Sequence, residues 1–284
     1  MSELTLRTMS RAEVHDLLHW AAREGWNPGL HDADAFWATD PEGFIAATMD
    51  GKPIGGGSIV SYDGQFGFMG LFIVAPEHRR QGIGSRLWEA RKNMLLGRLR
   101  PGAAIGMDGV FAMQSYYARG GFQFSHRNVR FEAVGQRGRA HPNVVPLTEV
   151  PFERVVELDA ACFVAPRRHF LEAWLTLPQH WALGYVANGV LCGFGVLRRC
   201  HKGFKIGPLF ANDGDIAEAL YGALADGAEG EPVFLDVPEI NAHALRLVAA
   251  HGMKEVFGCA RMYLGPAPAI AYDRIFGVTT FELG

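Results

Sequence analysis

The chain has 284 residues, 49% of them hydrophobic and 20% charged, which is enough for two domains of ordinary size with apolar cores. A formal net charge of −3 and the lack of any apolar run near ~20 residues exclude a basic nucleic-acid-binding protein and a helical membrane span. Four cysteines and eleven histidines without metal-ligand spacing, and an N-terminus unlike a signal peptide, predict free thiols, no metal site and a cytoplasmic location.

Two helices are predicted near the start of the chain, and residues 22–29 connect them. A turn at Asp50-Gly51 then leads into Gly55-Gly56-Gly57. Glycine has no side chain to pack and weakens a strand, so this run predicts a kinked strand rather than a loop that binds a ligand.

A glycine-rich turn follows between a predicted strand and a predicted helix. The apolar residues 70–74 indicate a buried strand, and residues 86–96 have helical periodicity. Gly82 and Gly84 leave backbone amides open, and the first amides of a helix carry partial positive charge. Four cationic residues surround this turn: His78, Arg79, Arg80 and Arg86. The segment therefore predicts an anion site that suits a pyrophosphate.

The spacing within this turn excludes two common phosphate loops. A P-loop requires a lysine after its last glycine, but Ser85 follows Gly84, and a dinucleotide fingerprint requires a third glycine where Leu87 stands. The remaining pattern is Arg-x-x-Gly-x-Gly after a strand and a Val-x-Pro. It resembles the acetyl-CoA pyrophosphate loop of the GCN5-related N-acetyltransferases, the GNAT superfamily.

A second motif supports this resemblance. An apolar strand at 103–107 is followed by Asp108 and by a short predicted helix at 111–120. Tyr117, Gly121 and Phe122 stand at the spacing of the second GNAT motif. The chain departs from that motif at two positions: Val110 replaces the usual asparagine and Met113 the usual alanine.

The resemblance implies roles for particular residues. The strand end would pair with the pantetheine arm of acetyl-CoA, and the loop would hold its pyrophosphate. The implied cofactor-binding residues are Phe72, Ile73, Val74, Arg79, Arg80, Gln81, Gly82, Ile83, Gly84 and Ser85. Tyr117 would lie near the sulfur and return a proton to the leaving thiolate, which a tyrosine pKa near 10 suits. The adjacent Tyr116 is predicted to be the core residue of the pair.

The base and the acceptor contacts are less closely defined. Asp108 ends a strand just before the tyrosine helix, so it is a candidate catalytic residue, with a helix cap as the alternative. In GNAT folds the connection between the first two helices lines the acceptor pocket, which implicates Glu24, Trp26 and Asn27 in substrate binding. Trp26 forms either a pocket wall or a staple between helices. A water chain in place of any carboxylate base also stays open.

The second half repeats the first. Three glycines recur at one constant offset: Gly51, Gly55 and Gly57 match Gly189, Gly193 and Gly195. The second GNAT motif returns at residues 241–253, but Val248 replaces its tyrosine, and the acidic segment 212–215 replaces the phosphate loop. Asp236, which precedes this motif with Glu239, is predicted to cap a turn and a helix.

We therefore predict an α/β (α+β) chain of two tandem GNAT folds, each a mixed, mostly antiparallel sheet flanked by helices. A Gly/Pro-rich linker at 135–143 places the catalytic domain at 1–138 and a degenerate copy at 139–284. The second copy forms either part of the acceptor wall or a homodimer surface. Residues 276–283 predict a strand that completes the second sheet or reaches toward the first domain.

The implied activity is transfer of an acetyl group from acetyl-CoA to a primary amine of a small molecule or peptide. The alternative is an acyl-CoA-binding regulatory module with little turnover. Amino acids, polyamines, aminoglycosides and peptide N-termini all remain open as acceptors.

Overall fold

The computed structural model describes residues 4–138 and 141–284. Its first half contains β1 (Leu4–Thr8), α1 (Arg11–Arg23), α2 (Asp32–Thr39), β2 (Phe44–Met49), β3 (Lys52–Tyr62), β4 (Phe66–Val74), α3 (Ile83–Arg98), β5 (Ala104–Val110), α4 (Gln114–Arg119) and β6 (Gln123–Val134).

The second half repeats this order of helices and strands element by element. It contains β7 (Val144–Pro146), α5 (Phe152–Cys162), α6 (Arg168–Trp174), β8 (His180–Ala187), β9 (Val190–Arg199), β10 (Phe204–Ala211), α7 (Gly214–Asp226), β11 (Pro232–Pro238), α8 (Ala242–Ala250) and β12 (Lys254–Leu264), with one extra strand, β13 (Ile275–Gly277). The predicted tandem fold is confirmed.

The sheet is mixed and mostly antiparallel. Its strand order is β1-β2-β3-β4-β5-β12-β6-β11-β10-β9-β8-β7, and β13 pairs with β10. Only β4–β5 and β10–β11 are parallel among the pairs of named strands. Helices α2 and α6 contact each other across the two halves, where Phe36 stacks on Trp174 with ring centroids 6.3 Å apart. The two halves therefore share part of one apolar core.

The two halves exchange their last strands. β12, from the second half, pairs with β5 of the first, and β6, from the first half, pairs with β11 of the second. The linear sequence did not predict this exchange. The proposed boundary between 138 and 139 stays a prediction, since Arg139 and Ala140 lie outside the described residues. Wherever this boundary lies along the chain, the sheet of each half contains a strand from the other half.

Two buried ion pairs join the exchanged strands to their new neighbours. Arg130 on β6 stands opposite Asp236 on β11 and donates two hydrogen bonds to it, of 2.6 and 2.7 Å. Arg261 on β12 stands opposite Asp108 on β5 and does the same, at 2.9 and 2.6 Å. Burial opposes ionisation of Asp236, but the charge of Arg130 outweighs it and the pKa of that carboxyl falls below its ordinary value.

These pairs also correct the prediction that Asp236 caps a helix. The side chain that caps α8 belongs to Asn241, which accepts from the amides of His243 and Ala244. Removing one partner of such a buried pair leaves an uncompensated charge, which typically costs about 3–5 kcal/mol. The pairs therefore make the exchanged register difficult to change.

The strand predicted at 276–283 is shorter than expected, since β13 ends at Gly277. The C-terminal segment as a whole both completes the second sheet and reaches the first half, the two alternatives that the sequence left open. Strand β13 pairs with β10 through Leu209 and Phe210, in the gap where β10 and β11 separate beyond residue 206. It thereby completes the second sheet. The following segment 278–284 crosses to the first half, where Tyr62 Oη donates to the carbonyl of Leu283 at 2.8 Å.

We predict that residues 1–138 alone do not form a stable domain, because β5 and β6 would each lose the strand that completes their sheet. Circular dichroism should show no cooperative thermal transition for this fragment. Mixing it with residues 141–284 should restore one. A fragment 1–138 that melts cooperatively alone, near the temperature of the full chain, would show that the exchange is dispensable.

Candidate active site

A cavity of about 510 Å³ opens where β4 and β5 separate. The two strands are hydrogen-bonded only at residues 66–68 and 104–106, and then diverge toward their carboxyl ends. The lining comes from both halves of the chain: β4, β5, α3 and α4 from the first, and β12 with segment 278–284 from the second. The strand exchange therefore builds this site as well as the sheet.

A bulge in β4 shapes the floor of the cavity. Gly56 pairs with Ile73 and Ser58 with Gly70, so two β4 residues oppose one β3 residue, and Leu71 takes a left-handed φ of +51°. Unpaired backbone groups at a bulge are available to a ligand. A non-glycine residue with positive φ is strained and needs support from its surroundings.

Arg91 of α3 supplies that support. Its Nη2 donates to the carbonyls of Ser58 and Gly70, at 2.5 and 2.6 Å, on the two sides of the bulge. The guanidinium fits because Gly57 has no side chain: a Cβ there would collide with it. This confirms that the triple glycine is a strand feature. Burial lowers the pKa of Arg91 to about 9, although the nearby Tyr117 acts in the opposite direction.

The glycine-rich turn leads directly into α3. Gly82 is the N-cap of this helix with a left-handed φ of +77° and no side-chain cap, and Arg80 also has positive φ, at +63°. The first turn of α3 contains no acidic residue. Its free amides therefore keep the partial positive charge that attracts an anion. Arg79 pairs with Glu24 and donates to the carbonyl of Val74 at 2.8 Å, so it bridges the turn to β4.

Most of the predicted cofactor residues lie at this cavity. Its lining includes Phe72, Ile73, Val74, Arg79, Arg80, Gly82, Gly84 and Ser85. Two predicted residues turn their side chains elsewhere. Gln81 donates to the carbonyl of Glu77 at 2.9 Å, and Ile83 is buried in the core beneath α3. For these two, only a role of the backbone amides remains as a prediction.

Tyr117 projects into the cavity from α4 with its ring buried. It is 4% exposed and packs on Trp88 with ring centroids 5.0 Å apart. Burial raises its pKa to about 12, with Arg91 opposing. Its hydroxyl has no hydrogen-bond partner within residues 4–138 and 141–284. The expectation that Tyr116 is the core residue is wrong: Tyr117 is the buried one, and Tyr116 is half-buried at the cavity, packed on Trp88.

Asp108 also lies at the cavity wall, but its carboxylate is engaged. Besides the two bonds from Arg261, it accepts one from Asn128 at 2.8 Å. These three hydrogen bonds occupy the carboxylate oxygens with donors from the protein. The geometry therefore favours a positioning role for Asp108 over proton transfer, and it gives no support for a helix cap, because the turn that follows has no side-chain cap.

The connection between α1 and α2 contributes two of its three predicted acceptor residues. Glu24 and Trp26 line the cavity. Asn27 is not part of the lining, so its assignment to substrate binding is corrected. Its side chain donates to the carbonyl of Lys202 at 3.0 Å and accepts from the amide of the same residue at 2.8 Å. Asn27 instead holds the first half of the chain to the second.

Four lining residues from the second half were not predicted. They are Phe257 and Cys259 on β12, and Phe281 and Glu282 in segment 278–284. Glu282 is 4% exposed, and its Oε2 has no hydrogen-bond partner within the described ranges. Burial raises the pKa of this carboxyl, the charge of Lys205 opposes the shift, and that of Asp32 reinforces it. A glutamate in an apolar stretch was the only signal in the sequence.

Two other expectations from the sequence are that the chain has no metal site and no membrane-spanning helix. Among residues 4–138 and 141–284, no three histidine, cysteine or acidic side chains are grouped as a metal site would require. Over the same residues, no helix combines the length and apolarity needed to cross a bilayer.

Comparison with known proteins identifies this architecture. Residues 11–122 match the model of the acetyltransferase (GNAT) family, and residues 155–277 match that of an acetyltransferase (GNAT) domain. Holothin acyltransferase of Pseudoalteromonas sp. (strain SANK 73390) is 28% identical, over 99% of this chain and 94% of that protein.

Solved structures share the fold. A putative acetyltransferase from Pyrococcus horikoshii has a TM-score of 0.84 at 23% identity, over 99% of this chain and 96% of the other. A tandem GNAT protein from the clavulanic acid biosynthesis pathway has a TM-score of 0.66 at 16% identity, over 94% and 100%. The chain belongs to the GNAT superfamily and carries one GNAT domain in each half. It is an acyltransferase of the tandem type.

We predict that Gly82→Val weakens binding of acetyl-CoA at least tenfold, or ~1.4 kcal/mol, because a branched side chain would disturb the left-handed turn and cover the free amides of α3. Isothermal titration would measure the affinity.

Gly230→Val is the matched control. Gly230 has a φ of +78° in open surroundings, as Gly82 has +77°, but it lies in the turn between α7 and β11. The two variants should lose similar stability, and only Gly82→Val should lose affinity. Equal affinities for the wild type and a folded Gly82→Val protein would place the anion elsewhere.

Proposed function

We propose that the chain is an acyl-CoA-dependent N-acyltransferase that moves an acetyl group from acetyl-CoA to a primary amine by direct attack on the thioester. One observation carries this proposal: a single cavity joins the uncapped start of α3, the β4 bulge and the unpartnered hydroxyl of Tyr117. The reaction needs these three parts: an anion site, a backbone surface that binds the pantetheine arm, and a proton donor.

The residues present fit coenzyme A as a co-substrate. Its pyrophosphate suits the amides after Gly82 and the cation of Arg80, which makes no ion pair within the described part of the chain. The pantetheine arm suits the backbone at residues 72–74, where β4 has left β5. A backbone amide there would donate to the thioester oxygen as it becomes negative.

The chemical step requires a neutral amine and a protonated leaving group. The amine nitrogen forms a bond to the thioester carbon, and the carbon–sulfur bond then breaks. Tyr117 gives its proton to the sulfur and regains one from the nitrogen, directly or through water. A tyrosine with a pKa near 12 stays protonated through the neutral range, so it can donate whenever the thiolate forms.

The known relative supports a small molecule as the acceptor, since that relative is described as an acyltransferase for holothin. The alternative of a regulatory module that holds acyl-CoA is less well supported. A binding module has no need for an unpartnered hydroxyl beside the cavity or for a carboxylate, that of Glu282, kept free of partners.

We also propose a reducing compartment, the cytoplasm, for this enzyme. All four cysteines are free thiols, and three of them are buried. A homodimer remains a prediction.

Tyr117→Phe should lower kcat about a hundredfold and leave acetyl-CoA affinity unchanged, because only the proton donor is removed and the ring still packs on Trp88. Thiol release with an amine panel would give kcat, and titration calorimetry the affinity.

Tyr221→Phe is a matched control, since Tyr221 is a buried tyrosine of the second half, 2% exposed, outside the cavity lining. It should keep full activity. If Tyr117→Phe were as active as this control, Tyr117 would be structural and the thiolate would take its proton from water.

A further inference from the structure

We propose that Glu282 receives the amino group of the acceptor and removes its proton, and that the acceptor is a small amine with a flat apolar body and no carboxylate. This inference rests on the proposed function and names the acceptor end of the same cavity. It assigns a direct role in catalysis to the second half of the chain, through segment 278–284.

The position of Glu282 is set by β3 and β4. Ser58 Oγ donates to the backbone carbonyl of Glu282 at 3.4 Å. Gly70 permits the close approach, because a Cβ at that position would collide with the same carbonyl. Glu282 is part of the cavity lining, and its Oε2 is buried without a hydrogen-bond partner within residues 4–138 and 141–284. A buried carboxylate without a donor is costly, and an ammonium group would satisfy it.

Aromatic residues share the cavity lining with Glu282. The guanidinium of Arg130 lies 5.5 Å from the ring centroid of Phe257 and 5.0 Å from that of Phe281. The two rings are 6.1 Å apart. Arg130 also donates to the carbonyl of Trp26 at 2.6 Å. One buried arginine thus positions three aromatic residues of the lining, which suits a flat apolar ligand.

Three arginines near the acceptor end are already paired with carboxylates, and one buried lysine is hydrogen-bonded to a carbonyl. Arg130 is bound by Asp236, Arg261 by Asp108, and Arg79 by Glu24. Lys205 donates to the carbonyl of Asn27 at 3.0 Å. The charges of these three arginines are already balanced by carboxylates, and an acceptor carboxylate would face the charge of Glu282.

Arg91, whose Nε and Nη1 have no hydrogen-bond partner within the described ranges, also lines the cavity, but it enters from α3. It faces Gly57, whereas Glu282 contacts the adjacent Ser58, and successive strand residues point to opposite faces. Arg91 is therefore not positioned to bind an acceptor carboxylate beside Glu282.

The proton balance is complete without another reactant. The acceptor arrives as an ammonium and gives one proton to Glu282. The neutral nitrogen attacks the thioester carbon, the carbon–sulfur bond breaks, and Tyr117 supplies the proton of the free thiol. The nitrogen returns a proton to Tyr117, and Glu282 releases its own to solvent. The net products are an amide, a thiol and one proton.

The environment of Glu282 determines the pH dependence. The charged groups that influence it are Lys205 on β10, Arg130 on β6, Arg198 on β9 and Asp32 on α2. Their combined effect with burial leaves the pKa of this carboxyl above its ordinary value. The rate with an amine should therefore rise with pH as Glu282 ionises, and this limb should be absent from Glu282→Gln.

The test compares the wild-type full chain with Glu282→Gln, Glu282→Asp and the control Glu42→Gln, an exposed glutamate outside the cavity. Probes are acetyl-CoA with 2-phenylethylamine, glutamate or spermidine. We expect turnover of 2-phenylethylamine with a kcat/KM at least tenfold above the other two amines. Glu282→Gln should lose about a hundredfold in kcat/KM, with acetyl-CoA affinity within twofold of wild type, and Glu282→Asp should recover part of the loss and the pH limb.

The outcomes separate this inference from the proposed function. Wild-type protein that binds no acetyl-CoA, or releases no thiol with any amine, would contradict the proposed function itself. Normal cofactor binding and turnover with unchanged rate and pH profile in Glu282→Gln would overturn the role of Glu282. A preference for glutamate or spermidine would overturn the acceptor class. Should Glu282→Gln fail to fold, Glu282→Asp provides the test. A lowered kcat/KM that keeps the pH limb supports the role of Glu282, and a rate and pH profile equal to those of the wild type overturn it.

Discussion

The reciprocal exchange of β6 and β12 is the constraint on which the rest of this molecule depends. Each exchanged strand is joined to its new neighbour by a buried arginine–aspartate pair, Arg130 with Asp236 and Arg261 with Asp108. The exchanged strands and their ion pairs also shape the site. Arg130 positions the aromatic wall, Asp108 lies in the cavity lining, and β12 contributes Phe257 and Cys259. The half that contributes β4, β5 and α3 to the cavity is therefore structurally incomplete without the other half.

The two copies keep one framework and differ in what occupies the cleft. In the first half, β4 and β5 separate and leave a cavity; in the second, β13 fills the corresponding gap between β10 and β11. The helices that follow the two gaps also differ in how their N-termini are capped. α3 starts at an uncapped glycine, whereas α7 is capped by Asp213, whose carboxylate accepts from the amide of Ile216 at 2.9 Å. The second copy is closed to an anion at both points.

Local features of the site could be predicted from the sequence because they depend on near neighbours along the chain. The turn around Gly82 and the strand before it follow from residue types and spacing, and the position of Tyr117 follows from the resemblance of its motif to the second GNAT motif. The assignment of Tyr116 to the core failed because burial there depends on Gly109, a β5 residue whose missing side chain makes room for the ring of Tyr117.

Contacts between the halves could not be predicted in this way. A strand's sequence indicates which of its faces is buried but not which strand lies beside it, so the exchange of β6 and β12 could not be predicted. Asn27 was assigned to the acceptor on the GNAT resemblance, and the contact that corrects this assignment is with Lys202, 175 positions away in the sequence. Glu282 and Arg91 were missed for the same reason, since neither belongs to a motif and each gains its role from a distant strand.

The central claim is that one chain has one coenzyme site, formed by the first half and closed in the second. Titration calorimetry with acetyl-CoA on the full-length wild-type protein tests this claim most directly. We predict a stoichiometry of one acetyl-CoA per chain, with binding abolished or greatly weakened by Gly82→Val. Two equivalent sites per chain, or a single site that Gly82→Val leaves intact, would contradict it.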